Sequence, residues 1–423
     1  MSDSSAARER YLSQLRPARI RYAVVVGVIV IGLVVWVVVA YARGEAAHAT
    51  LRTVSQAPAA LALTDASTTQ RLAWRTGDQP AIGSPQYQGT VVTFDAHTVR
   101  GRDARSGRQT WSYTRTDRTV CTAAQIGGTT IAVYELAGNC DEVSSFASGT
   151  GRRGWTRTLD KDGMPLNGRP AFQATPFTFM VTSKSVIYAI DPGSGYDKWT
   201  YTRYGCVIRA AMLGTSGALI SQDCAKPRCA GVKFCGRGVQ LLLRDANLGN
   251  GDSGKPNADQ IKWNDLGDDN VPVSADVVVA AIDPTSRQLV RYLIASGRPG
   301  APVTLSPAPA SIGPVEATGT VDADIVWVGG VAYALGAAKS QPLWARATAS
   351  PPGIVATDGD TIPQRAATRI VAASAQGATV LDGGTGRVLH AYPLPAAPAG
   401  VAGGYPLGSG FLVFGPGGTA AYR

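Results

Sequence analysis

Six cysteines carry the clearest chemistry in this 423-residue chain. The first two are 19 residues apart and the next two are 18 apart, and each pair brackets a strand, a turn and a second strand. An even count in an exported protein favours disulfides, although six cysteines allow fifteen pairings. Zinc binding is disfavoured because no histidine lies near the last three cysteines. The spacing favours two pairs and leaves the third by default: Cys121–Cys140, Cys206–Cys224 and Cys229–Cys235.

Histidine chemistry is scarce in this sequence. The three histidines are His48, His97 and His390, and His390 falls in a repeat position where a structural role is expected. We find no Gly-x-Ser-x-Gly, no His-Glu-x-x-His and no phosphate-binding loop. Catalytic triads and histidine-based metal sites therefore lack the residues they require. We expect no catalytic residue, no cofactor and no metal site.

The elements that would position any site form a repeat. The segments VRGRDARSGRQTW, VSSFASGTGRRGW and IYAIDPGSGYDKW end at Trp111, Trp155 and Trp199, which are 44 residues apart. Each has a small turn residue eight positions before Trp and glycine four before it. Asp begins a turn by bonding its own backbone, Gly supplies a positive φ, and Trp covers the neighbouring sheet. A period near 44 is typical of a four-stranded propeller blade.

The pattern Asp-x-x-x-Gly-x-x-x-Trp after an alternating apolar strand resembles the quinoprotein-like repeat, of the pyrroloquinoline-quinone type. The resemblance covers about 68–423 and implies an all-β propeller of four-stranded blades. It also raises an enzyme alternative, a quinone- or calcium-dependent propeller. Quinoprotein dehydrogenases, however, have two adjacent cysteines against the cofactor, and this chain has no Cys-Cys pair. The aromatic residues expected in the blade register are Trp74, Trp111, Trp155, Trp199 and Trp344.

The blade count and the closure of the ring follow from the same register. We expect seven blades, with an elaborated blade at 206–291, and eight is the alternative. An insertion is expected at about 224–263. The chain ends with two strands that lack a Trp strand, and the segment RLAWRTG at 71–77 lacks preceding partners. This N-terminal strand is therefore expected to complete the last blade, because an unpaired sheet edge is a liability.

Residues Tyr22–Tyr41 contain no charged side chain over twenty positions. At 1.5 Å per residue this is enough helix to cross a ~30 Å hydrocarbon core. Five arginines precede the span and few follow it, so the positive-inside rule predicts a cytoplasmic tail at 1–21 and an exported remainder. A cleaved signal peptide is the alternative, since Ala40-Tyr41-Ala42 fits a cleavage site. We expect a single-pass protein of the inner (plasma) membrane with a membrane-proximal linker at 42–67.

The net charge of +10 arises partly from the cytoplasmic arginines, and no dense basic stripe follows. Nucleic acid is therefore disfavoured as a partner. The insertion departs most from the repeat, and long loops on rigid scaffolds often carry function. Its candidate interaction residues are Arg228, Lys233, Arg237, Arg244 and Trp263.

These observations predict a non-enzymatic scaffold or binding protein in cell-envelope assembly, with a membrane-protein partner. The composition resembles that of a high-GC actinobacterium. The layout resembles tethered propellers of mycolate-making actinobacteria that include a polar-growth factor. That resemblance implies a trehalose-mycolate glycolipid ligand held beside a lipid exporter.

Overall fold

The computed structural model describes residues 25–37, 39, 44–61, 69–83, 86–136, 138–159, 166, 169–203, 205–224, 238–244, 261–263, 270–276, 278–311, 315–319, 323–336, 341–354 and 369–423. The chain divides into two compact units. Unit 1 comprises residues 1–50 and 115–117, and unit 2 comprises the remainder.

Strands dominate unit 2, because short runs of β-branched and aromatic residues alternate with Gly, Asp and Ser turns. The first strands are β1 (Ala49–Arg52), β2 (Leu72–Thr76), β3 (Gln79–Pro80), β4 (Ile82–Gly83), β5 (Gln86–Tyr87), β6 (Thr90–Phe94), β7 (Thr98–Asp103), β8 (Gln109–Arg115), β9 (Val120–Ile126), β10 (Thr129–Leu136), β11 (Asn139–Ala147), β12 (Arg153–Thr158), β13 (Ala171–Thr175), β14 (Thr178–Thr182), β15 (Val186–Ile190) and β16 (Asp197–Thr202). The second half contains β17 (Val207–Gly214), β18 (Gly217–Cys224), β19 (Gly238–Arg244), β20 (Ile261–Trp263), β21 (Val271–Ala275), β22 (Val279–Ile282), β23 (Leu289–Tyr292), β24 (Val315–Gly319), β25 (Ala323–Val328), β26 (Val331–Gly336), β27 (Trp344–Ala347), β28 (Gly353–Ile354), β29 (Arg369–Ala373), β30 (Ala378–Asp382), β31 (Val388–Tyr392), β32 (Gly403–Leu407), β33 (Gly410–Gly415) and β34 (Gly418–Tyr422).

The described strands form eight sheets, which we number in chain order. The strand β1 contains residues of both units. Sheet 1 contains β3 and β5–β8, sheet 2 β4 and β9–β12, sheet 3 β13–β16, sheet 4 β17–β20, sheet 5 β21–β23, sheet 6 β24–β27, sheet 7 β28–β31, and sheet 8 β32–β34 with β2. Successive strands within a sheet pair antiparallel, whereas β4 pairs parallel with β9.

Contacts pass from each sheet to the next and return from sheet 8 to sheet 1, so unit 2 is a β-propeller. Gln173 of sheet 3 shows how neighbouring sheets join: its amide nitrogen donates to the Ala211 carbonyl and its oxygen accepts from the Leu213 N–H, both at 2.7 Å. Apolar side chains fill the space between sheets, as Val133, Val181 and Tyr188 do between sheets 2 and 3. This layered burial of apolar surface is the main stabilising term.

The predicted closure by the N-terminal strand is confirmed. β2 pairs antiparallel with β34, so residues from both ends of the propeller sequence complete sheet 8. The Arg71 N–H donates to the Arg423 carbonyl at 2.7 Å, and the Arg423 N–H returns a bond at 2.8 Å. Between sheets 8 and 1, the Thr419 hydroxyl donates to the backbone carbonyl of Asp78 at 2.7 Å.

The preferred count of seven blades is not confirmed. It merged residues 206–291 into one blade, whereas the structure divides this stretch between sheets 4 and 5. Eight sheets among the described residues agree with the alternative count. In sheet 5, residues 299–303 add a further edge, because Leu289 and Val303 exchange backbone hydrogen bonds at 3.0 and 2.7 Å. The spacing of the repeat alone could not predict this short sheet. Its turn at Asp283 comes before the third strand, and the edge at 299–303 follows that strand.

Residues 54–61, which we call the strap, cross the turns of sheets 1 and 2. They belong to the predicted linker at 42–67, but they pack against unit 2. The Val54 N–H donates to the Thr150 carbonyl at 3.1 Å. The Arg105 guanidinium donates to the Ala60 carbonyl at 3.2 Å. Leu61 is buried with Trp74 in an apolar cluster.

In unit 1, residues 25–37 are helical (α1), and a one-turn helix, α2 (Glu45–His48), follows. The Thr116 N–H donates to the His48 carbonyl at 3.0 Å. Among the residues described, no helix combines the length and the apolarity that crossing a membrane demands. The predicted span at 22–41 is thus not confirmed; its two ends and the tail at 1–21 lie outside the described residues.

Candidate functional site

Six turns among the described residues share one backbone pattern, and their first residue is called position 0 here. In sheets 1, 2, 3 and 7 the turn joins the last two strands of the sheet, and we call the side of the propeller that these four turns form the turn edge. At Asp191, one carboxylate oxygen accepts from the backbone N–H and the hydroxyl of Ser194, both at 2.8 Å. The Gly195 N–H then bonds the Asp191 carbonyl at 2.9 Å. The six position-0 residues are Asp103, Ala147, Asp191 and Asp382 on the turn edge, and Asp283 and Leu293 in sheet 5.

The carboxylates of these turns are structural groups held in their charged form. At Asp191, burial favours the neutral acid, but hydrogen bonds from Ser194 to the carboxylate outweigh it and lower the pKa. At Asp382 the hydroxyl of Thr385 is the main cause of a lowered pKa. A general acid or base working near neutral pH needs a pKa shifted the other way. These aspartates therefore serve the fold.

The tryptophans of the repeat dock each sheet onto the turn of the next. The ring packs on the position +4 glycine, and Nε1 donates to the carbonyl of position +1. A Cβ built on Gly107 or Gly195 would lie 2.5 or 2.4 Å from the indole of Trp74 or Trp155. The hydrogen bonds are Trp74 to Ala104 at 3.0 Å, Trp111 to Ser148 at 2.7 Å, Trp155 to Pro192 at 2.9 Å and Trp344 to Gly383 at 2.9 Å.

Trp199 differs from these four residues. It is fully buried, and its Nε1 has no hydrogen-bond partner within the described part of the chain. The guanidinium carbon of Arg244 lies 4.6 Å from the centre of its ring. The prediction that Arg244 belongs to an exposed interaction loop is therefore wrong, because this side chain is also fully buried. Arg244 is the last residue of the buried strand β19, and stacking on the Trp199 ring stabilises its charge.

The other predicted loop residues lie largely beyond the described ranges. Arg228, Lys233 and Arg237 belong to residues that the structure does not describe, and the same holds for the side chain of Trp263. Two predicted disulfides are confirmed, Cys121–Cys140 and Cys206–Cys224. The third pair, Cys229–Cys235, also falls outside the described residues.

Two aromatic side chains stand out on the turn edge of sheet 3. Phe177 is 62% exposed and Tyr196 is 77% exposed, whereas most aromatic side chains of unit 2 are buried. Phe177 lies in the turn between β13 and β14, and Tyr196 is position +5 of the Asp191 turn. We call these two residues the aromatic patch.

Neighbouring polar groups fix the two turns of the aromatic patch. The Lys198 ammonium donates to the Phe177 carbonyl at 2.9 Å and to the Thr178 hydroxyl at 3.3 Å. The Arg157 guanidinium donates to the Gly195 carbonyl at 2.7 Å. Both turns are therefore held in place before any ligand arrives, which lowers the ordering cost of binding.

Sequence reasoning missed the aromatic patch, although one signal was present. Position +5 is arginine in the other three turns of the turn edge, and tyrosine replaces it only in the Asp191 turn. In sheet 5 this position is Gln288 in the Asp283 turn and Arg298 in the Leu293 turn. The equivalent arginines are Arg108, Arg152 and Arg387.

Few other described side chains are arranged so that they could bind a metal or perform catalysis. Among the residues that the structure describes, no cluster of three His, Cys, Asp or Glu side chains is placed to hold a metal ion. One buried polar cluster joins Asp78 to Arg102 at 2.6 Å and to the Thr93 hydroxyl at 3.0 Å. It ties β6 and β7 to the chain that leaves β2, so its role is structural.

Comparisons with solved structures find distant structural likenesses. No protein-family model matches the chain, and no curated protein matches it. Among solved structures, BamB from Moraxella catarrhalis is 14% identical, with 85% of this chain and 99% of that chain covered and a TM-score of 0.47. The C-terminal WD40 domain of Sif2 is 10% identical, with coverages of 84% and 98% and a TM-score of 0.49. Neither likeness bears on function.

Proposed function

We propose that this chain is a membrane-tethered, extracytoplasmic scaffold that binds a partner protein through the aromatic patch. The observation that carries the proposal is the exposure of Phe177 and Tyr196, 62% and 77%, on turns that are otherwise held rigidly. Large exposed aromatic groups on a preformed surface are typical of interaction sites.

The chemistry around the patch favours a polypeptide partner. Interface cores are enriched in Tyr, Phe, Trp and Arg, while rims are polar. The patch has this composition, since Arg157 and the half-buried Trp155 lie beside the Asp191 turn. The described carboxylates of the turn edge are engaged by their own turns, which supports a binding role rather than catalysis.

The proposed location rests on the cysteines and on the sequence. Disulfides persist in oxidising compartments, and two cysteine pairs are joined. The uncharged run at 22–41 and the arginines before it favour a single pass through the inner (plasma) membrane with the N-terminus in the cytoplasm. The propeller is then extracytoplasmic, and each of the eight sheets is proposed to be one blade.

Within this role, the finer proposal is an actinobacterial envelope-assembly factor with a trehalose-mycolate ligand beside a lipid exporter. It rests on the resemblance of the sequence to such tethered propellers. Native mass spectrometry of the protein released from its own membranes tests this version. A bound glycolipid mass supports it, and a bare polypeptide mass contradicts it without affecting the protein-binding role.

The protein-binding role is tested by photo-crosslinking in intact cells. A benzoylphenylalanine at position 177 or 196 of the full-length chain is expected to crosslink to one and the same partner. The matched control places this residue at Arg387, the same turn position in sheet 7. Phe177→Asp is expected to abolish copurification of that partner, whereas Val388→Asp leaves it unchanged. Equal crosslinking from position 387, or none from 177 and 196, would overturn the role.

A further inference from the structure

The strap shows how the turn edge holds an extended segment of chain. On sheet 2, position +2 is Gly149, and a Cβ there would lie 2.6 Å from the Cβ of Ala57. Position +3 is Thr150, whose carbonyl accepts the Val54 N–H at 3.1 Å. A small side chain over the glycine and one backbone hydrogen bond thus seat the strap on this turn.

Sheet 1 holds the continuation of the strap through position +2 and through the adjoining turn. The position +2 residue, Arg105, donates to the Ala60 carbonyl at 3.2 Å. A Cβ built on Gly89, in the adjoining turn, would lie 2.1 Å from the Ala59 carbonyl oxygen. The strap is therefore recognised by its backbone and its small side chains, and its sequence from Val54 to Leu61 is VSQAPAAL.

Sheet 3 repeats the geometry of sheet 2 without the strap. Its position +2 is Gly193, and among the described residues a Cβ there would meet only the carboxylate of Asp191, at 3.5 Å. Its position +3 is Ser194, whose hydroxyl accepts the N–H of position +5 at 3.4 Å, as the Thr150 hydroxyl does at 3.5 Å. Tyr196 is position +5 of this turn, Phe177 lies in the turn between β13 and β14 of the same sheet, and both side chains are exposed.

We infer that the Asp191 turn of sheet 3 binds an extended peptide segment of a partner protein in the manner in which sheet 2 binds the strap. The segment places a small residue over Gly193 and donates one backbone N–H to the Ser194 carbonyl. An apolar residue of the segment packs between Tyr196 and Phe177. This inference rests on the proposed function and specifies its binding mode.

The strap indicates what kind of segment the Asp191 turn binds, because the same chain already holds an extended segment on the equivalent turn of sheet 2. Backbone hydrogen bonds give such recognition its affinity, and side-chain pockets give it specificity. Sheet 7 has a similar position, Gly384, where a Cβ would meet only Asp382, at 3.6 Å, within the described part of the chain. Its position +5 is Arg387, so it lacks the aromatic wall and serves as an internal control.

The test is a display library of random twelve-residue peptides, selected on the full-length chain in detergent. The probe for measurement is the most enriched peptide, labelled for fluorescence anisotropy. Tyr196→Arg, which installs the residue found in the neighbouring turns, is expected to weaken binding at least roughly tenfold. Gly193→Val is expected to weaken it similarly, because a branched side chain fills the seat of the small residue.

The matched control is Gly384→Val, which is expected to leave the affinity unchanged. Neither glycine has a left-handed φ, so both variants are expected to fold. The inference is overturned if no peptide is enriched, or if the affinity is the same for wild type, Tyr196→Arg and Gly193→Val. Should crosslinking at position 196 still identify a partner in that case, the scaffold role stands and the partner presents a folded surface instead of an extended segment.

Discussion

The indole Nε1 of Trp111 donates a 2.7 Å hydrogen bond to the carbonyl of Ser148, a residue in the neighbouring sheet. Both residues are fully buried, and the same relationship recurs at Trp74, Trp155 and Trp344. Each of these tryptophans therefore joins its sheet to the next one by a single hydrogen bond that is surrounded by apolar packing. The integrity of the ring depends on contacts of this kind.

Removing the Trp111 side chain is expected to be severely destabilising. Trp111→Ala leaves a large cavity between sheets 1 and 2, and Trp→Ala changes in cores cost about 3–5 kcal/mol. Trp111→Phe retains much of the packing but removes the hydrogen bond to the buried Ser148 carbonyl, at a cost of roughly 1–3 kcal/mol. Denaturant unfolding of the full-length chain measures both. Equal stability of wild type and Trp111→Phe would show that the hydrogen bond contributes nothing.

Much of this docking could be predicted from the sequence, because its parts are local. The Asp turn, the glycine and the Trp recur at fixed spacing, and the closure by β2 follows from strands without partners. The division of 206–291 into two sheets could not be predicted from the spacing of the repeat. The strand after the Asp283 turn is not the edge of its sheet, because residues 299–303 pair with it. Pairing of this kind is decided by tertiary contacts.

The candidate site was harder to predict for a different reason. Exposure is a property of the folded chain, and nothing in the local sequence states that Phe177 is open while Phe179, two residues on, is buried. Phe177 lies in the hairpin turn before β14, whereas Phe179 lies within β14, all of whose residues are buried. Arg244 misled in the opposite direction, because a charged residue in the insertion was expected at the surface and instead stacks on Trp199.

Two glycines of the Asp191 turn are expected to respond in opposite ways to alanine. Gly195 has a φ of +75° and lies against Trp155, so Gly195→Ala is expected to cost roughly 1–3 kcal/mol. Gly193 has ordinary φ and open space, so Gly193→Ala is expected to be neutral or to stabilise by about 0.4–1 kcal/mol through the unfolded state. Thermal unfolding of the two variants side by side makes the comparison. The same loss for both would contradict the assigned roles.

The turn carboxylates are expected to make stability depend on acid pH. Hydrogen bonding from Thr385 lowers the pKa of Asp382 in the folded chain. A lowered pKa contributes stability above the unfolded value of about 3.9, and this contribution is lost as pH falls through the folded value. Asp382→Asn is expected to flatten the loss of stability between about pH 5 and pH 3. Because the group lies at the surface, the difference is expected to be below about 1 kcal/mol.

Chemical denaturation of wild type and Asp382→Asn at several pH values measures this slope. The turn of sheet 2 supplies the matched control, since it forms with Ala147, and hence with no carboxylate, at position 0. Replacing Ala147 by Asp is expected to add the acid-sensitive contribution that the Asn variant removes. Parallel pH profiles for all three proteins would contradict this account.

Asp78 is expected to be the most sensitive acidic residue near the closure of the ring. It is 8% exposed, and one carboxylate oxygen lies 2.6 Å from Arg102 Nη2 and 3.2 Å from Arg100 Nη1. Asp78→Ala leaves the largely buried Arg102 without this charge, and breaking a buried pair on one side costs about 3–5 kcal/mol. The double variant Asp78→Ala with Arg102→Leu removes both charges and is expected to recover much of the loss. Unfolding free energies for the two single variants and the double variant decide between these outcomes: additive losses would show that the two residues act independently of one another.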